Sequence, residues 1–178
     1  MTPSAQVMPM LLTGFDYVWQ RLETRLDGLD DAEYHWVPAE PSWQVRQSDD
    51  QGWLVDIASD EPQPAPITTI GWRMWHISSD CLAGYISPEL GDWPLPVRGR
   101  QWFGEVEPAR QTLTLAYTVF RERITALGED GLQRRLGPDW GAFAESSWAD
   151  LEVHALDEVV HHGAEIGLLR DLYRSDRS

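Results

Sequence analysis

The sequence predicts an all-α fold: a single-domain four-helix bundle with long loops between its helices. Three observations predict it. Four segments carry apolar residues at steps of three and four, the spacing of one helix face. No alternation of strands and helices and no internal repeat is visible. The chain has 178 residues, 42% hydrophobic and 24% charged, which suits one domain over residues 1–178 with its own core.

The first predicted helix extends from Ala5 to Leu29, and Gly28 suits its end because glycine tolerates the left-handed backbone there. Arg21 and Arg25 lie on its polar side. Its apolar positions are Met8, Leu11, Leu12, Phe15, Val18, Trp19, Leu22 and Leu26. Residues 30–66 follow as a long loop, because five prolines interrupt them. A small strand pair is expected around residues 43–46 and 52–57.

The second predicted helix covers Ile67 to Ser87 and begins at Thr68 or Pro66. It is apolar around most of its circumference. The exception is one narrow stripe of polar side chains: Thr69, Arg73, His76 and Asp80. Either this stripe faces solvent or it faces a polar cavity inside the bundle.

A loop over residues 88–106 leads to a third predicted helix, Glu107 to Leu127, with Pro108 in its first turn. Its expected core face consists of Leu113, Tyr117, Phe120 and Ile124. A glycine-rich connection then leads to the last helix, for which Ser146 or Ser147 is the expected N-cap.

The last predicted helix, Leu151 to Arg174, contains three of the five histidines. At 100° per residue, Glu158 and His162 lie in the middle of its apolar face, one turn apart. Asp157 and His161 point away from that face. A carboxylate and an imidazole are costly to bury without partners, so Glu158 and His162 are the leading candidates for a functional role.

Composition excludes several function classes. The net charge of −15 repels nucleic acid. The chain contains no lysine, which excludes Schiff-base and P-loop chemistry. No stretch is long and apolar enough for a membrane span, and the first residues do not resemble a signal peptide. The lone cysteine, Cys81, suits a cytoplasmic protein, and its apolar surroundings favour core packing over catalysis.

Helical bundles build metal sites from inward-facing residues on different helices. Glu158 and His162 would supply two ligands, and His76 is the histidine available on another helix. Two imidazoles and one carboxylate suit zinc or a similar divalent ion, and three protein ligands leave a position open for a small-molecule substrate. Without a metal, the same three side chains would form a hydrogen-bonded core network. His161 stays an alternative to its neighbour His162.

The order of elements and two short motifs resemble the DinB-like superfamily. The motifs are GWRMWHISSD in the second helix and DEVVHHGAEIGLLR in the last. The family's histidine in the first motif falls on His76. Its last-helix pattern H-x-x-H-H-x-G-Q falls on Glu158, His161 and His162. The chain departs from that pattern with Glu158 in place of a histidine and with Glu165 near the usual glutamine, but a carboxylate still offers a ligand.

This superfamily includes metal-dependent thiol S-transferases and mycothiol-dependent maleylpyruvate isomerases. The resemblance implies a divalent metal, zinc foremost with nickel or iron as alternatives, and a low-molecular-weight thiol such as mycothiol. The metal would hold the thiol as a thiolate for attack on a small electrophilic substrate. Arg73 and Arg170 are candidates for binding anionic groups of the cofactor or substrate, or are ordinary interhelical arginines.

Two further functions stay open. Metal-assisted hydrolysis would use the same ligands, with Asp80 or Glu165 as the general base. A non-catalytic, stress-associated bundle would use the polar face only to bind a metal or ligand. A homodimer is also compatible with the sequence.

Overall fold

A computed structural model of the chain describes residues 7–58 and 62–177. Within these ranges the protein is mostly helical, with two small two-stranded sheets. The α-helices and strands are α1 (Val7–Leu26), α2 (Asp31–Tyr34), β1 (Ser42–Trp43), β2 (Val45–Ser48), β3 (Gly52–Val55), β4 (Ile67–Thr68), α3 (Ile70–Trp75), α4 (Ala83–Tyr85), α5 (Val106–Leu132) and α6 (Trp148–Asp176). A π-helical segment, His76–Leu82, joins α3 to α4, so residues 70–85 form one composite helix.

α1 and α6 run parallel to each other. Near one end Gly14 faces Leu156, and at the other Arg25 contacts Asp171 at 3.3 Å. From the first contact to the second, the residue numbers increase in both helices, so the two helices run in the same direction. The apolar face of α1 is buried as predicted from Phe15 to Leu26, whereas Met8, Leu11 and Leu12 are only half-buried. Gly28 just beyond the helix has φ of +68°, which ends it. The predicted start at Ala5 lies outside the described residues.

α5 runs antiparallel to α1, because its residues contact α1 in the reverse order. The Glu129 carboxylate accepts from the backbone N–H of Val7, and Arg121 forms a two-point ion pair with Asp16 at 2.6 and 2.7 Å. α5 lies parallel to the composite helix: Ser78 of that helix donates to the carbonyl of Thr112, and Glu89, just after it, accepts from Arg123 further along α5. The composite helix therefore runs antiparallel to α6, and these two elements form the walls of the candidate site.

The composite helix begins at Ile70, and Thr69 is its N-cap. The Thr69 side chain accepts a hydrogen bond from the backbone N–H of Trp72 at 3.3 Å. The predicted start at Thr68 or Pro66 is therefore wrong by one residue or more. β4 occupies Ile67–Thr68 instead, because its backbone pairs with β1.

The loop over residues 30–66 is more structured than predicted. The expected strand pair is confirmed as β2 and β3, which are antiparallel with Val45 opposite Val55. The parallel pair of β1 and β4 and the short helix α2, capped by Asp30, were not predicted. Strands of two residues and a single helical turn are too short to leave a periodic pattern. The fold is mostly helical as predicted, but it is not purely α.

The two C-terminal helices extend beyond their predicted limits. The helical run of α5 continues to Leu132 across Gly128, whose φ of +68° breaks the regular backbone. α6 begins at Trp148, with Ser147 as its N-cap. The predicted core positions Leu113, Phe120 and Ile124 are fully buried. In the described residues, no helix is both long enough and apolar enough to span a membrane.

Candidate metal centre

The face of α6 that the sequence predicts to be apolar is buried, and Glu158 and His162 lie on it. The side chains of His162 and Glu158 are 11% and 18% exposed, whereas that of His161 is 61% exposed. The positions that surround them on the face are buried, including Ala155 and Val159. His162, rather than His161, therefore turns toward the interior.

Glu158 lies between two imidazole rings from different elements. Its Oε2 is 2.9 Å from Nε2 of His162 and 3.5 Å from Nε2 of His76. The two rings meet edge to face with centroids 4.7 Å apart. Donor atoms around a tetrahedral zinc ion are roughly 3.3–3.6 Å apart, given bond lengths of about 2.0–2.3 Å. The two separations between Glu158 and the imidazoles are therefore within a few tenths of an ångström of the donor spacing around a divalent ion.

The other ring nitrogen of each histidine faces a second carboxylate. Nδ1 of His76 is 3.0 Å from Oδ2 of Asp80, and Nδ1 of His162 is 2.7 Å from Oε2 of Glu165. A carboxylate on Nδ1 keeps the proton there and leaves the Nε2 lone pair free for a metal. Asp80 and Glu165, predicted as candidate bases, thus lie behind the imidazoles and not between them.

Two adjacent sets of candidate ligands are present in the described residues. One consists of His76, Cys81 and Glu158, and the other of His161, His162 and Glu165. The contact of Glu158 with His162 joins the two sets. The predicted combination of His76, Glu158 and His162 thus spans both.

The electrostatics of the cluster follow from these contacts. Burial raises the pKa of the Glu158 carboxyl, but the two imidazoles lower it more, and the net result is a pKa below its usual range. Burial lowers the pKa of His76, but its contacts with Asp80, Cys81 and Glu158 raise it to about 11. A bound cation can take the place of that imidazolium charge, because metal ions and protons compete for the same nitrogen.

The π-helical segment brings Cys81 next to Nε2 of His76. Five residues of an α-helix advance by roughly 140°, which would point Cys81 away from His76. In a π-helix, residues i and i+5 are joined by a hydrogen bond and lie one turn apart. Sγ of Cys81 is accordingly 3.4 Å from Nε2 of His76. The predicted burial of Cys81 is confirmed at 2% exposure, but its contact with the site was not predicted, because the sequence was interpreted with α-helical periodicity.

Arg73 lies beside the cluster. Its Nε is 2.8 Å from Oε2 of Glu165, and its side chain is 16% exposed. Both residues line a cavity of about 420 Å³, whose other walls are mostly apolar and are formed by Pro38, Ala65, Pro66, Ile67, Thr68, Leu168, Leu169 and Leu172. A guanidinium at the edge of an apolar cavity is suited to contact the anionic group of a small molecule.

The structure places Arg170 apart from the cluster, about 12 Å further along α6 than His162. Its Nε and Nη2 donate to the two carboxylate oxygens of Glu33 at 2.7 and 2.9 Å, and its Nη1 donates to the carbonyls of Arg25 and Asp27. The side chain is 2% exposed. Arg170 is therefore a structural residue: its buried side chain connects α6 to the end of α1 and to α2.

Aromatic rings cover the outer side of His76. The indole of Trp72 stacks on its imidazole with centroids 5.1 Å apart, and Trp43 of β1 packs on Trp72 at 5.5 Å. The pairing of β1 with β4 holds Trp43 at the start of the composite helix. The small sheet thus shields one side of the site from water.

Comparison with known families gives one match. The model of the DinB superfamily matches residues 15–166, which include the composite helix, α5 and the part of α6 that carries Glu158 and His162. No curated protein and no solved structure matches the chain.

Proposed function

Because the chain belongs to the DinB superfamily, we propose that residues 1–178 form one four-helix-bundle domain with a catalytic divalent-metal centre. His76, Glu158 and His162 hold the ion. One observation carries this proposal: Nε2 atoms from two antiparallel elements lie within 3.5 Å of a single Glu158 oxygen. Two imidazoles and a carboxylate favour zinc, with nickel or iron as alternatives.

The reaction that fits best is transfer of a low-molecular-weight thiol, such as mycothiol, to a small electrophilic substrate, or an isomerisation that uses the same thiol. When bound, the metal supplies Lewis acidity that keeps a thiol in its thiolate form at neutral pH. Arg73 binds an anionic group of the thiol or the substrate. The apolar cavity next to Arg73 holds the rest of the small molecule.

Asp80 and Glu165 orient the two imidazoles in this proposal. The hydrolytic alternative would need one of them as a general base. Glu165 suits that role poorly, because contacts with His162 and Arg73 keep its pKa below the usual range although burial opposes this. Asp80 is also engaged, with its Oδ2 3.0 Å from Nδ1 of His76, so the contacts of both carboxylates favour the thiol-dependent reaction over hydrolysis.

The first experiment measures metal content by elemental analysis in the purified protein and after reconstitution with zinc. We expect about one ion per chain in the wild type and little in His76→Ala, Glu158→Ala and His162→Ala. His161→Ala is the matched control, because His161 is the exposed neighbour of His162, and it should retain the ion. If His162→Ala retains the ion and His161→Ala loses it, His161 is the ligand in place of His162. A folded wild type that takes up no ion contradicts the proposal.

A second experiment separates the two reactions. The zinc-loaded protein is incubated with an activated aryl halide, with and without mycothiol or glutathione. Thiol-dependent formation of the conjugate, absent in Glu158→Ala, is the expected result. If the aryl halide is consumed at the same rate with and without a thiol, the result favours hydrolysis and contradicts thiol transfer.

A further inference from the structure

We propose that Cys81 is a fourth protein ligand of the metal ion, so that the resting centre is held by His76, Cys81, Glu158 and His162. The inference rests on the metal centre proposed above and adds a sulfur donor to it. The family pattern that falls on His76 and on the last helix of this chain does not include a cysteine at this position.

The distances carry the inference. Sγ of Cys81 lies 3.4 Å from Nε2 of His76, and suitable donor atoms of Cys81, His76 and Glu158 all lie within 4.8 Å of one another. In a tetrahedral zinc site, sulfur and nitrogen donors are separated by roughly 3.5 Å, because the Zn–S bond is about 2.3 Å and the Zn–N bond about 2.0–2.1 Å. The thiol is therefore already at ligand distance from the atom that would share the ion.

The backbone explains how a buried core cysteine reaches a polar site. The π-helical segment begins at His76 and includes Cys81, and π-helical turns are concentrated at functional sites. The same segment places Asp80 at Nδ1 of His76 and Cys81 at its Nε2. Residues 80 and 81 thus support both nitrogens of one imidazole, which a regular α-helix would not allow.

Binding of the ion would deprotonate the thiol. The S–H bond breaks as the metal–sulfur bond forms, and the proton leaves to solvent, with no oxidant or reductant required. A thiolate donor makes the site softer than one of nitrogen and oxygen alone, which favours zinc over magnesium or manganese. Four protein donors also close the tetrahedron, so an incoming small thiol has to compete with Cys81.

The test uses the full-length apoprotein reconstituted with cobalt(II) in thiol-free, anaerobic buffer. We expect the wild type to bind about one cobalt ion and to show a thiolate-to-cobalt charge-transfer band in the near ultraviolet. Cys81→Ser should still bind the ion through the other three ligands, but without that band and with at least about tenfold weaker affinity in chelator competition. Ser79→Ala is the matched control in the same π-helical segment and should keep the band.

X-ray absorption at the zinc edge gives an independent result: a sulfur scatterer at about 2.3 Å in the wild type and none in Cys81→Ser. Cobalt binding without the charge-transfer band would overturn the role of Cys81 and leave the three-ligand centre intact. No cobalt or zinc binding by the folded wild type would overturn both proposals. Circular dichroism of each variant verifies that the fold is kept.

Discussion

The imidazole of His76 has neighbours at both nitrogens and against one face: Asp80 at Nδ1, Glu158 and Cys81 at Nε2, and Trp72 on the ring. Such a ring has little freedom to rotate. Its orientation is therefore fixed before any ligand arrives, which lowers the entropic cost of binding a metal ion. The contact with Asp80 is the part of this arrangement that can be removed without touching a proposed ligand.

We predict that Asp80→Asn weakens zinc binding by about 10- to 100-fold while leaving the ion-to-protein ratio near one at saturation. The amide can no longer attract the Nδ1 proton as a carboxylate does, so the imidazole is held less firmly and is less basic. Competition with a chromophoric chelator measures the affinity. Asp157→Asn, an exposed site on α6, is the control, and equal affinities in the two variants would contradict the positioning role.

Glu152 is a buried carboxyl whose role the metal centre does not explain. It lies on α6 with no exposed surface, and within the described ranges neither of its carboxylate oxygens has a hydrogen-bond partner. Burial raises its pKa from 4.5 to about 7. Since the folded state holds this proton more tightly than the unfolded state, stability falls as the pH rises from about 4.5 to about 7 and stays lower above that range.

We therefore predict that Glu152→Gln stabilises the protein at pH 8 relative to the wild type by up to about 3 kcal/mol, the cost of ionising a carboxyl with this shift. At pH 4.5 the advantage should disappear, because the wild-type carboxyl is then neutral when folded. Urea denaturation at both pH values measures the difference. A stability difference that is independent of pH would contradict the prediction.

Residue-scale prediction from the sequence succeeded where side chains follow α-helical geometry. The angular positions on the helix alone favour Glu158 and His162 over Asp157 and His161. The structure agrees, because the first two side chains are mostly buried and the other two residues are exposed. The contact of Cys81 was out of reach, because a π-helical turn leaves no recognisable pattern in the sequence. Arg170 was a candidate for cofactor binding or for an interhelical contact, and its ion pair with Glu33 of α2 agrees with the second. The partner itself lies too distant in sequence to foresee.

At the scale of the elements, the N-terminus of α6 has the clearest local signal. The Ser147 side chain accepts from the backbone N–H of Asp150 at 3.1 Å, and the Asp150 carboxylate accepts from the backbone N–H of Ser147 at 2.8 Å. This reciprocal pair is a capping box. The sequence predicted a serine cap but left Ser146 and Ser147 as alternatives, since either hydroxyl precedes the helix.

We predict that Ser147→Ala lowers the free energy of unfolding by about 1 kcal/mol, because the backbone N–H of Asp150 loses its acceptor and the Asp150 carboxylate loses the serine hydroxyl. Ser146→Ala is the matched control and should change stability by less than about 0.5 kcal/mol. Chemical denaturation of the three proteins provides the comparison. A loss at Ser146 equal to that at Ser147 would contradict the assignment of the cap.

The long helices could be predicted because each buries a wide apolar face, whereas their ends depend on a few backbone angles. Gly28 ended α1 as expected. Gly128 has a similar φ, yet the helical run of α5 resumes after it and continues to Leu132. A glycine thus marks a break in a helix, but the sequence does not reveal whether the chain turns away or continues.

At the scale of the whole molecule, the proposed centre joins elements that lie about 80 residues apart in the chain. His76 and Cys81 belong to the composite helix, and Glu158 and His162 to α6. An ion bound across them stabilises the folded state only, because the unfolded chain does not bring these residues together.

We predict that zinc at about 1,000 times its dissociation constant stabilises the protein by about 4 kcal/mol and raises the Tm by roughly 10 °C. Differential scanning fluorimetry measures the shift. The same concentration of magnesium is the control for general screening of the net charge of −15. A comparable shift with magnesium, or with zinc in His76→Ala, would contradict a specific site.

The number of long helices and their apolar faces could be predicted from the sequence, but their directions could not. Loop lengths allow several connections, and the parallel pairing of α1 with α6 is evident only from contacts such as Arg25 with Asp171. The sequence suggested that His76, Glu158 and His162 could meet. Only the packing of the composite helix against α6 shows that they lie close together.

The stack of Trp43, Trp72 and His76 has an optical consequence. A protonated imidazole in contact with an indole quenches its fluorescence by accepting an electron from the excited ring. In the proposed centre, filling would change His76 from a proton-bound to a metal-bound imidazole, and Trp72 lies directly against it. We therefore expect the emission of Trp72 to report the occupancy of the proposed centre, without any added dye.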